Sequence, residues 1–464
     1  MASHGRRMWK RWAVTITCRI RWSVYPHSRR CDRGKATMIV NRVIEKAMRK
    51  AQGAQAALGQ TEATNISFED DKLKSAGVTQ TTGMRVKVVV DGKIGLSHTT
   101  DLDDVDGVVA RAMEAAAFGS TAHFQYPGPQ EGSDVEVYDD AVHAVTKEEM
   151  VRIGEGMMAL VKAYRADILV SAGVRKNMST RQFANSAGME FTTETTSFGV
   201  GVSGQWVRGT DILQAGHGFG WKKRDIDHLA IAGKAIELLK MAENIAPIKS
   251  AAMPVIFSPE GMSVLLLALK LGLNGKNVFL GSSPLAGKLG AKIAHEAFSI
   301  TDNPLLDYAS GSGKYDGEGT PHQVTPLIER GLLRNFLYDL DTAGRAGTKT
   351  TGNGVGCNPT NLVIKEGDTP YEEMVKNTKE GLLVHNVLGL GQGNPASGEF
   401  SVNVQLGYKI EKGEIVGRVK DVMLSGNSYD AIKDIAAIGD KAEWAGGSVL
   451  TPPIQVARLS VVAR

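Results

Sequence analysis

The segment RVKVVVDGKIGLSHTT, residues 85–100, carries a clear local pattern. Val86, Val88 and Val90 alternate with their neighbours, as the side chains of a half-buried strand do. Asp91 and Gly92 follow, and both residue types tolerate the positive φ angles of a type I′ turn. The segment therefore predicts a β-hairpin that turns at Asp91 and Gly92.

Around this hairpin, apolar residues recur at helical spacing. That spacing predicts helices over residues 40–58, 104–118, 147–164 and 227–244. Strands are predicted on both sides of NSAG, residues 185–188, and over an alternating stretch that ends at Val207. Together these elements predict an N-terminal α/β domain over residues 38–245.

The half after Pro247 begins with a short strand and a helix, and then becomes rich in strands. Hairpins are predicted around residues 329–331 and 412–413, helical pieces at 371–381 and 428–438, and a last strand at 452–463. The predicted fold class is therefore α+β, with a β-rich C-terminal domain over residues 246–464.

The composition is that of an ordinary globular protein, with 42% hydrophobic and 22% charged residues in 464. Its charge is unevenly distributed, because residues 1–37 hold ten of the 54 basic residues and one of the 50 acidic ones. We interpret residues 1–37 as a basic N-terminal extension that is disordered or not translated, with Met38 as the functional start. A nucleic-acid-binding arm and a transit segment stay open as alternatives.

Cys18 and Cys31 lie in that extension, so Cys357 is the one cysteine of the remaining sequence. A single cysteine excludes a disulfide framework and a Cys-rich zinc site, and it fits a reducing cytoplasm. Because no histidine is nearby in sequence, we interpret Cys357 as a small buried thiol and not as a nucleophile.

Several glycine-rich segments invite functional interpretations. GVGVSG, residues 199–204, matches G-x-G-x-x-G, but strand-like residues follow where a dinucleotide site needs a helix. The segments 348–356 and 388–400 could let another chain approach and pair along a strand edge. Turns between strands are the alternative for both.

His295 and Glu296 lie in GAKIAHEAFSI, residues 290–300, which looks helical. A zinc-protease helix carries a second histidine four residues after the first, on the same face. Ser299 occupies that position here. We therefore interpret His295 as an exposed or capping residue.

A set of segments, taken together, resembles the TldD/PmbA family, once called modulators of DNA gyrase. The similar segments are RVKVVVDGKIGLSHTTDLDD (85–104), NSAGMEFTTETTSFGVGVSG (185–204), LGSSPLAGKLG (280–290), DYASGSGKYDGEGTP (307–321), LIERGLLRNFLYDLDTAGRAGTKTTGN (327–353) and GLGQGNPASGEFSVNVQLGYKIEKGEI (389–415). They follow one another in the family's order, from about residue 40 to the end of the chain.

The resemblance implies a barrel-like C-terminal domain and a cytoplasmic zinc peptidase built from TldD-like and PmbA-like (TldE) subunits. TldD-like subunits carry H-E-x-x-x-H and a later cysteine at the metal. In this chain Leu267, Ala268, Gly272 and Val384 occupy the matching positions. None of these side chains can bind Zn²⁺ or take a proton from its water. The chain therefore resembles the PmbA/TldE type, with no catalytic residue and no metal of its own.

The resemblance also implies a hetero-oligomer whose TldD-like partner holds zinc, a homodimer when the chain is alone, and a substrate that is a peptide or unfolded protein. As the residues that contact the peptide we predict Thr351, Gly352, Asn353, Gly389, Gly391 and Gly393.

Two alternatives stay open. The chain could cleave peptides itself with zinc held by other ligands, for which His295, His322 and His385 are candidates, or it could modulate DNA gyrase through protein contacts. Outside residues 1–37 the chain has 44 basic and 49 acidic residues and no basic stripe, so we expect no direct binding to nucleic acid. No membrane association is expected, because no apolar run is long enough to span a bilayer.

Overall fold

The computed structural model describes residues 39–392 and 394–463. The predicted extension of residues 1–37 and the predicted contact residue Gly393 lie outside these ranges. The elements of the first half are α1 (Ile39–Ala47), β1 (Gly53–Glu69), β2 (Lys72–Val90), β3 (Lys93–Thr99), α2 (Val105–Ala116), α3 (Asp140–Ala144), α4 (Lys147–Tyr164), β4 (Leu169–Asn185), β5 (Glu190–Arg208), β6 (Asp211–Trp221) and α5 (His228–Met241).

The second half is richer in strands, and a short 3₁₀ helix at Pro395–Ser397 precedes its longest one. Its elements are β7 (Ala251–Phe257), α6 (Ser263–Gly272), α7 (Gly275–Phe279), β8 (Ile300–Asp302), β9 (Thr325–Glu329), β10 (Leu332–Leu333), α8 (Leu340–Ala346), β11 (Leu362–Ile364), α9 (Tyr371–Asn377), β12 (Glu380–Leu388), β13 (Glu399–Glu411), β14 (Glu414–Arg418), β15 (Val422–Asn427), α10 (Ser428–Ala431), β16 (Ile435–Ile438), β17 (Glu443–Ala445), β18 (Val449–Thr451) and β19 (Ile454–Ala463).

The first six strands form one antiparallel sheet in the order β3-β2-β1-β4-β5-β6. The predicted hairpin is confirmed, because β2 pairs with β3 and the turn has φ angles of 48° at Asp91 and 74° at Gly92. The strands predicted around residues 185–188 are confirmed as β4 and β5. Residues 199–204 lie inside β5, so their glycines do not open a helix.

Helices α1, α2, α4 and α5 pack on one face of this sheet. Ala56 and Leu58 of β1 share a hydrophobic cluster with α1 and α2, whereas Ile66 and Phe68 share one with α4 and α5. All four side chains have even positions on one strand, so both clusters lie on the same face. Helix α4 spans the predicted residues 147–164, and the Thr146 hydroxyl caps it by accepting from the Glu149 amide.

Four helical predictions are wrong in part, among them the piece at residues 371–381, because α9 ends at Asn377 and residues 380–381 pair with β13 as part of β12. Helix α1 ends at Ala47, and residues 53–58 belong to β1, because pairing with both β2 and β4 outweighs the local apolar spacing. In the same way residues 435–438 pair with β19 as a strand, although they look helical in sequence. The segment 290–299 forms turns, and Gly290 has a φ of 81°.

The C-terminal half contains a closed barrel, as expected. Strands β7, β12, β13, β15 and β19 pair in a ring, with β12 parallel to β7 and the other neighbours antiparallel. A closed ring leaves no free edge. The predicted hairpins at residues 329–331 and 412–413 are confirmed as β9-β10 and β13-β14.

One hydrophobic cluster includes side chains of both halves. Ile256, Leu383 and Leu406 of the barrel pack with residues of the first sheet and of α5. The buried Tyr408 hydroxyl donates to the Leu238 carbonyl of α5, at 3.0 Å. The domain division between residues 245 and 246 stays a prediction. Within the described ranges, no helix is long and apolar enough to cross a membrane.

Candidate functional site

A cleft of ≈ 870 Å³ lies between the first sheet and the C-terminal half. Strands β4, β5 and β6 form one wall, and α6, the end of β12, β13 and the β17–β18 turn form the other. Ligand sites in proteins are usually clefts of this size with a few polar groups. The cleft is therefore the candidate site.

The sheet wall of the cleft carries very small side chains. Antiparallel register places Gly173 beside Gly201 and Gly201 beside Gly218, so that three glycines form a row across three strands. The next row across the same three strands consists of Ser171, Ser203 and Gly216. No atom lies within 4 Å of the point where a Cβ of Gly173 would stand. We call these two rows the glycine floor.

The glycine floor explains the motif at residues 199–204. Val200 and Val202 are buried in the cluster beneath α4 and α5. Successive side chains of a strand point to opposite faces. The valines therefore fill the core, while Gly201 between them leaves open space above the opposite face.

Polar side chains gather where the cleft meets a second cavity of ≈ 410 Å³. His217, Glu260 and His385 line both cavities. The Glu260 carboxylate lies 3.5 Å from Nδ1 of His217 and 3.9 Å from Nδ1 of His385. The Ser258 hydroxyl is 3.1 Å from Nδ1 of His385. A carboxylate between two imidazoles is suited to holding or exchanging a proton.

Burial governs the charge of these imidazoles. It lowers the pKa of His385 to about 4, and the nearby Lys234 ammonium acts in the same direction. Burial also lowers the pKa of His217, although Glu260 opposes that effect. Both imidazoles are therefore neutral at pH 7.

We expect His385 to make the fold sensitive to mild acid. Its folded-state pKa of about 4 lies below the ordinary value of 6.5, so the unfolded chain takes up the proton first as the pH falls. Stability should then decrease by up to about 3 kcal/mol between roughly pH 6.5 and pH 4. Urea unfolding of His385→Asn across this range should show a weaker dependence on pH.

The control for this measurement is His98→Asn, because His98 is exposed on β3. The stability of His98→Asn should depend on pH in the same way as that of the parent chain. If the stability of His385→Asn depended on pH as strongly as that of the parent chain, groups other than His385 would cause the loss of stability in acid.

The four positions that the resemblance predicts to match the family's metal site carry no donor side chain. Leu267 lines the cleft, whereas Ala268, Gly272 and Val384 are buried. A Cβ at Gly272 would lie 2.4 Å from the Tyr429 hydroxyl, which donates to the Ala268 carbonyl. The space beside the helix at this point is therefore filled by Tyr429, and these residues do not fit a zinc ion.

The predicted contact residues 351–353 lie in a hydrogen-bonded loop. Asn353 is 4% exposed, and its amide donates to Asp302 at 2.7 Å. The Thr351 hydroxyl donates to the Asn353 side chain, and a Cβ at Gly352 would lie 2.8 Å from the Pro321 carbonyl. The three residues thus make internal contacts, and peptide binding by them stays a prediction.

The second predicted segment lies nearer to the cleft. Gly389 and Gly391 have φ angles of 83° and 90°, and together with Leu267 they line a small cavity beside α6. Leu390 between them lines the main cleft. A peptide contact at Gly389 or Gly391 also stays a prediction.

The structure does not bring the three candidate histidines of the C-terminal half to one place. The His295 ring accepts from the Ala297 amide, so it serves as a local cap. His322 lies in a loop bonded to Lys314, and His385 contacts Ser258. No group of three His, Cys, Asp or Glu side chains within residues 39–392 and 394–463 is arranged to hold a metal ion.

Cys357 is fully buried, which confirms the predicted structural thiol. Its sulfur accepts from the Asp339 amide at 3.2 Å. Burial raises the pKa of this thiol to about 11, so it is protonated at pH 7 and a poor nucleophile.

Sequence reasoning missed His217 and Glu260, which lie 43 positions apart and meet only where β6 approaches the turn that precedes α6. It also missed the glycine floor. A signal for the floor existed, because glycines recur at every second position in residues 199–201 and 216–220.

Known proteins share this architecture of a helix-covered sheet and a barrel. The crystal structure of TldE from Thermococcus kodakarensis matches with a TM-score of 0.85 at 20% identity, and the match covers 92% of this chain and 100% of that one. A Thermotoga maritima structure, named as a candidate modulator of a DNA gyrase, matches with a TM-score of 0.84 at 23% identity. That match covers 91% of this chain and 99% of the Thermotoga chain.

Sequence comparisons point to the same class of metallopeptidase-like proteins. Residues 250–463 match the PmbA/TldA metallopeptidase C-terminal domain, and residues 54–116 match domain 1 of the same family. Metalloprotease PmbA of Escherichia coli O157:H7 is 24% identical over 90% of this chain and 95% of its own length. An uncharacterized protein of Methanocaldococcus jannaschii is 28% identical, and the match covers 80% of this chain and 87% of that protein. The chain belongs to the PmbA/TldD metallopeptidase family.

Proposed function

We propose that this chain is a PmbA/TldE-type subunit of a TldD/TldE zinc metallopeptidase and does not itself cleave peptides. The observation that carries the proposal is the set of Leu267, Ala268, Gly272 and Val384, which offers neither a zinc ligand nor a general base. Zinc and the catalytic groups are then supplied by a TldD-like partner in a cytoplasmic hetero-oligomer.

In this proposal the chain contributes to holding the substrate. The glycine floor lets the flat peptide groups of an extended chain approach the sheet without meeting any side chain larger than that of serine. Because contact with peptide backbone is independent of the substrate's sequence, such a cleft suits peptides and unfolded proteins. Leu390, between Gly389 and Gly391, lines the same cleft, which supports the predicted peptide contact in this segment.

The decisive experiment measures bound zinc and cleavage of an unfolded protein, for this chain alone and after mixing with a TldD-like subunit from the same cell. We expect the chain alone to be free of zinc and inactive, and the mixture to cleave. A mixture with the partner's HExxxH glutamate replaced by glutamine should bind the substrate without cleaving it.

The opposite result would favour an enzyme active on its own. If the chain alone bound about one zinc ion per molecule and cleaved, then His217, Glu260 and His385 would be the first residues to replace, because they converge at the cleft.

A further inference from the structure

The main cleft carries one acidic and one basic side chain, Glu260 and Lys270. Apart from the two imidazoles, the other described residues that line it are apolar or neutral polar ones. Glu260 precedes α6, and one face of that helix follows the cleft at Ser263, Leu266, Leu267 and Lys270. From Ser263 to Lys270 the helix rises by ~10 Å. The two opposite charges therefore belong to different ends of the cleft wall.

The Lys270 ammonium has no anionic partner within residues 39–392 and 394–463. Burial lowers the pKa of Lys270, and no neighbouring carboxylate opposes that effect. By contrast, the buried Lys87 pairs with Glu318 at 2.7 Å. The dipole of α6 also favours a lysine in its last turn, a role that needs no ligand. A partly desolvated ammonium that faces an open cleft is nevertheless a ready binding point for a carboxylate.

Glu260 has no cationic partner in the described part of the chain. Its neighbours are the imidazoles of His217 and His385, which are neutral at pH 7. The Lys234 ammonium of the second cavity is already paired with Glu443, at 2.5 Å. That cavity shares Glu260 with the cleft and is lined by five carboxylates and two ammonium groups. The excess of negative charge at this end attracts a cation.

We propose that the cleft binds a peptide in one direction, with an ammonium group of the peptide at Glu260 and a carboxylate at Lys270. The inference rests on the proposed function, which makes a peptide the ligand of this cleft. An extended chain advances ~3.3 Å per residue, so about three or four residues span the distance along α6. The two termini of a short peptide supply both charges, and lysine and aspartate side chains of a longer chain offer the same chemistry.

Competition by tetraalanine against a labelled unfolded peptide tests the proposal, with the full chain at pH 7. Amidation of the C-terminus and acetylation of the N-terminus should each raise the dissociation constant of tetraalanine about tenfold, because each removes a charge-assisted contact. Lys270→Met should abolish the effect of amidation and keep that of acetylation. Glu260→Gln should do the reverse, since each variant removes one partner of one contact.

The matched control is Lys288→Met, because Lys288 is an exposed lysine outside the cleft. It should keep both effects. Tetraalanine that does not compete, or that binds equally well with blocked ends, would overturn the proposal. An amidation effect that persists in Lys270→Met would leave Lys270 with its helix-dipole role alone. If Lys270→Met instead abolished the effect of acetylation, the direction would be wrong.

A peptide blocked at both ends identifies the source of the carboxylate. If aspartate at the last position of blocked tetraalanine restores affinity in the parent chain but not in Lys270→Met, the anchor accepts a side-chain carboxylate. If it does not, the anchor is specific for the C-terminus, and either result supports a carboxylate at Lys270.

These measurements of binding require neither zinc nor cleavage. A chain that held zinc and cleaved alone would contradict the proposed function, while the effects of the blocked ends could persist. Conversely, loss of those effects would leave a subunit without catalytic residues in place. The two proposals can therefore fail separately.

Discussion

Replacing Gly173 with leucine is expected to lower the affinity of the chain for an unfolded peptide at least about tenfold, or ~1.4 kcal/mol. Gly173 lies in the glycine floor, and no atom stands within 4 Å of the position of its missing Cβ. The new side chain therefore enters the cleft and does not collide with the protein. Fluorescence anisotropy with a labelled unfolded peptide measures the change, for the chain alone and for its mixture with a TldD-like subunit.

The control is Gly59→Leu. Gly59 is an exposed strand glycine that also has no atom within 4 Å of its missing Cβ, and it lies outside the cleft. Both variants should unfold at similar urea concentrations. Unchanged peptide affinity in Gly173→Leu, or an equal loss in both variants, would remove the cleft as the peptide site.

Replacing Arg418 with methionine is expected to lower the free energy of unfolding by about 3 kcal/mol, the scale on which loss of one partner destabilises a buried ion pair. Arg418 is 4% exposed at the end of β14, and its guanidinium binds both carboxylate oxygens of Asp211, at 2.5 and 2.7 Å. Burial alone would raise the pKa of Asp211, but hydrogen bonds from Arg418 and Arg208 hold it below its ordinary value. The pair connects the first sheet with the barrel half.

Urea unfolding at pH 7 measures this effect. Arg334→Met is the control, because Arg334 pairs with Glu329 on the surface, where an ion pair contributes less than about 1 kcal/mol. An equally small decrease in the free energy of unfolding of both variants would contradict the prediction. It would mean that the Arg208 and Lys420 side chains near Asp211 are sufficient to neutralise its carboxylate.

Local signals in the sequence were reliable where neighbouring residues decide the conformation. The turn at Asp91 and Gly92 needs positive φ angles, and the capped helix after Thr146 begins and ends as predicted. Predictions failed where a distant strand competes for the backbone. Residues 53–58 look helical in sequence, yet they gain hydrogen bonds on both edges within the sheet.

The candidate site was predictable only in part. The resemblance placed the helix with Leu267 and the segment with Gly389 and Gly391, and both line the cleft or its margin. His217 was not predicted, because a lone histidine in a strand carries no signal until its neighbour is known. Asn353 was predicted as a contact residue on its sequence pattern, and the structure places it in a buried network.

The sequence by itself determined most of the helices and strands, the lack of metal donors at four positions, and the family. These depend on residue identity and on neighbours a few positions away. The tertiary structure alone decided that the glycines of β4, β5 and β6 line up in rows, that Glu260 meets two histidines, and that Lys270 lines the same cleft as Glu260. Each of these features depends on the register between strands or on the packing between the two halves. Contacts between residues far apart in sequence determine both.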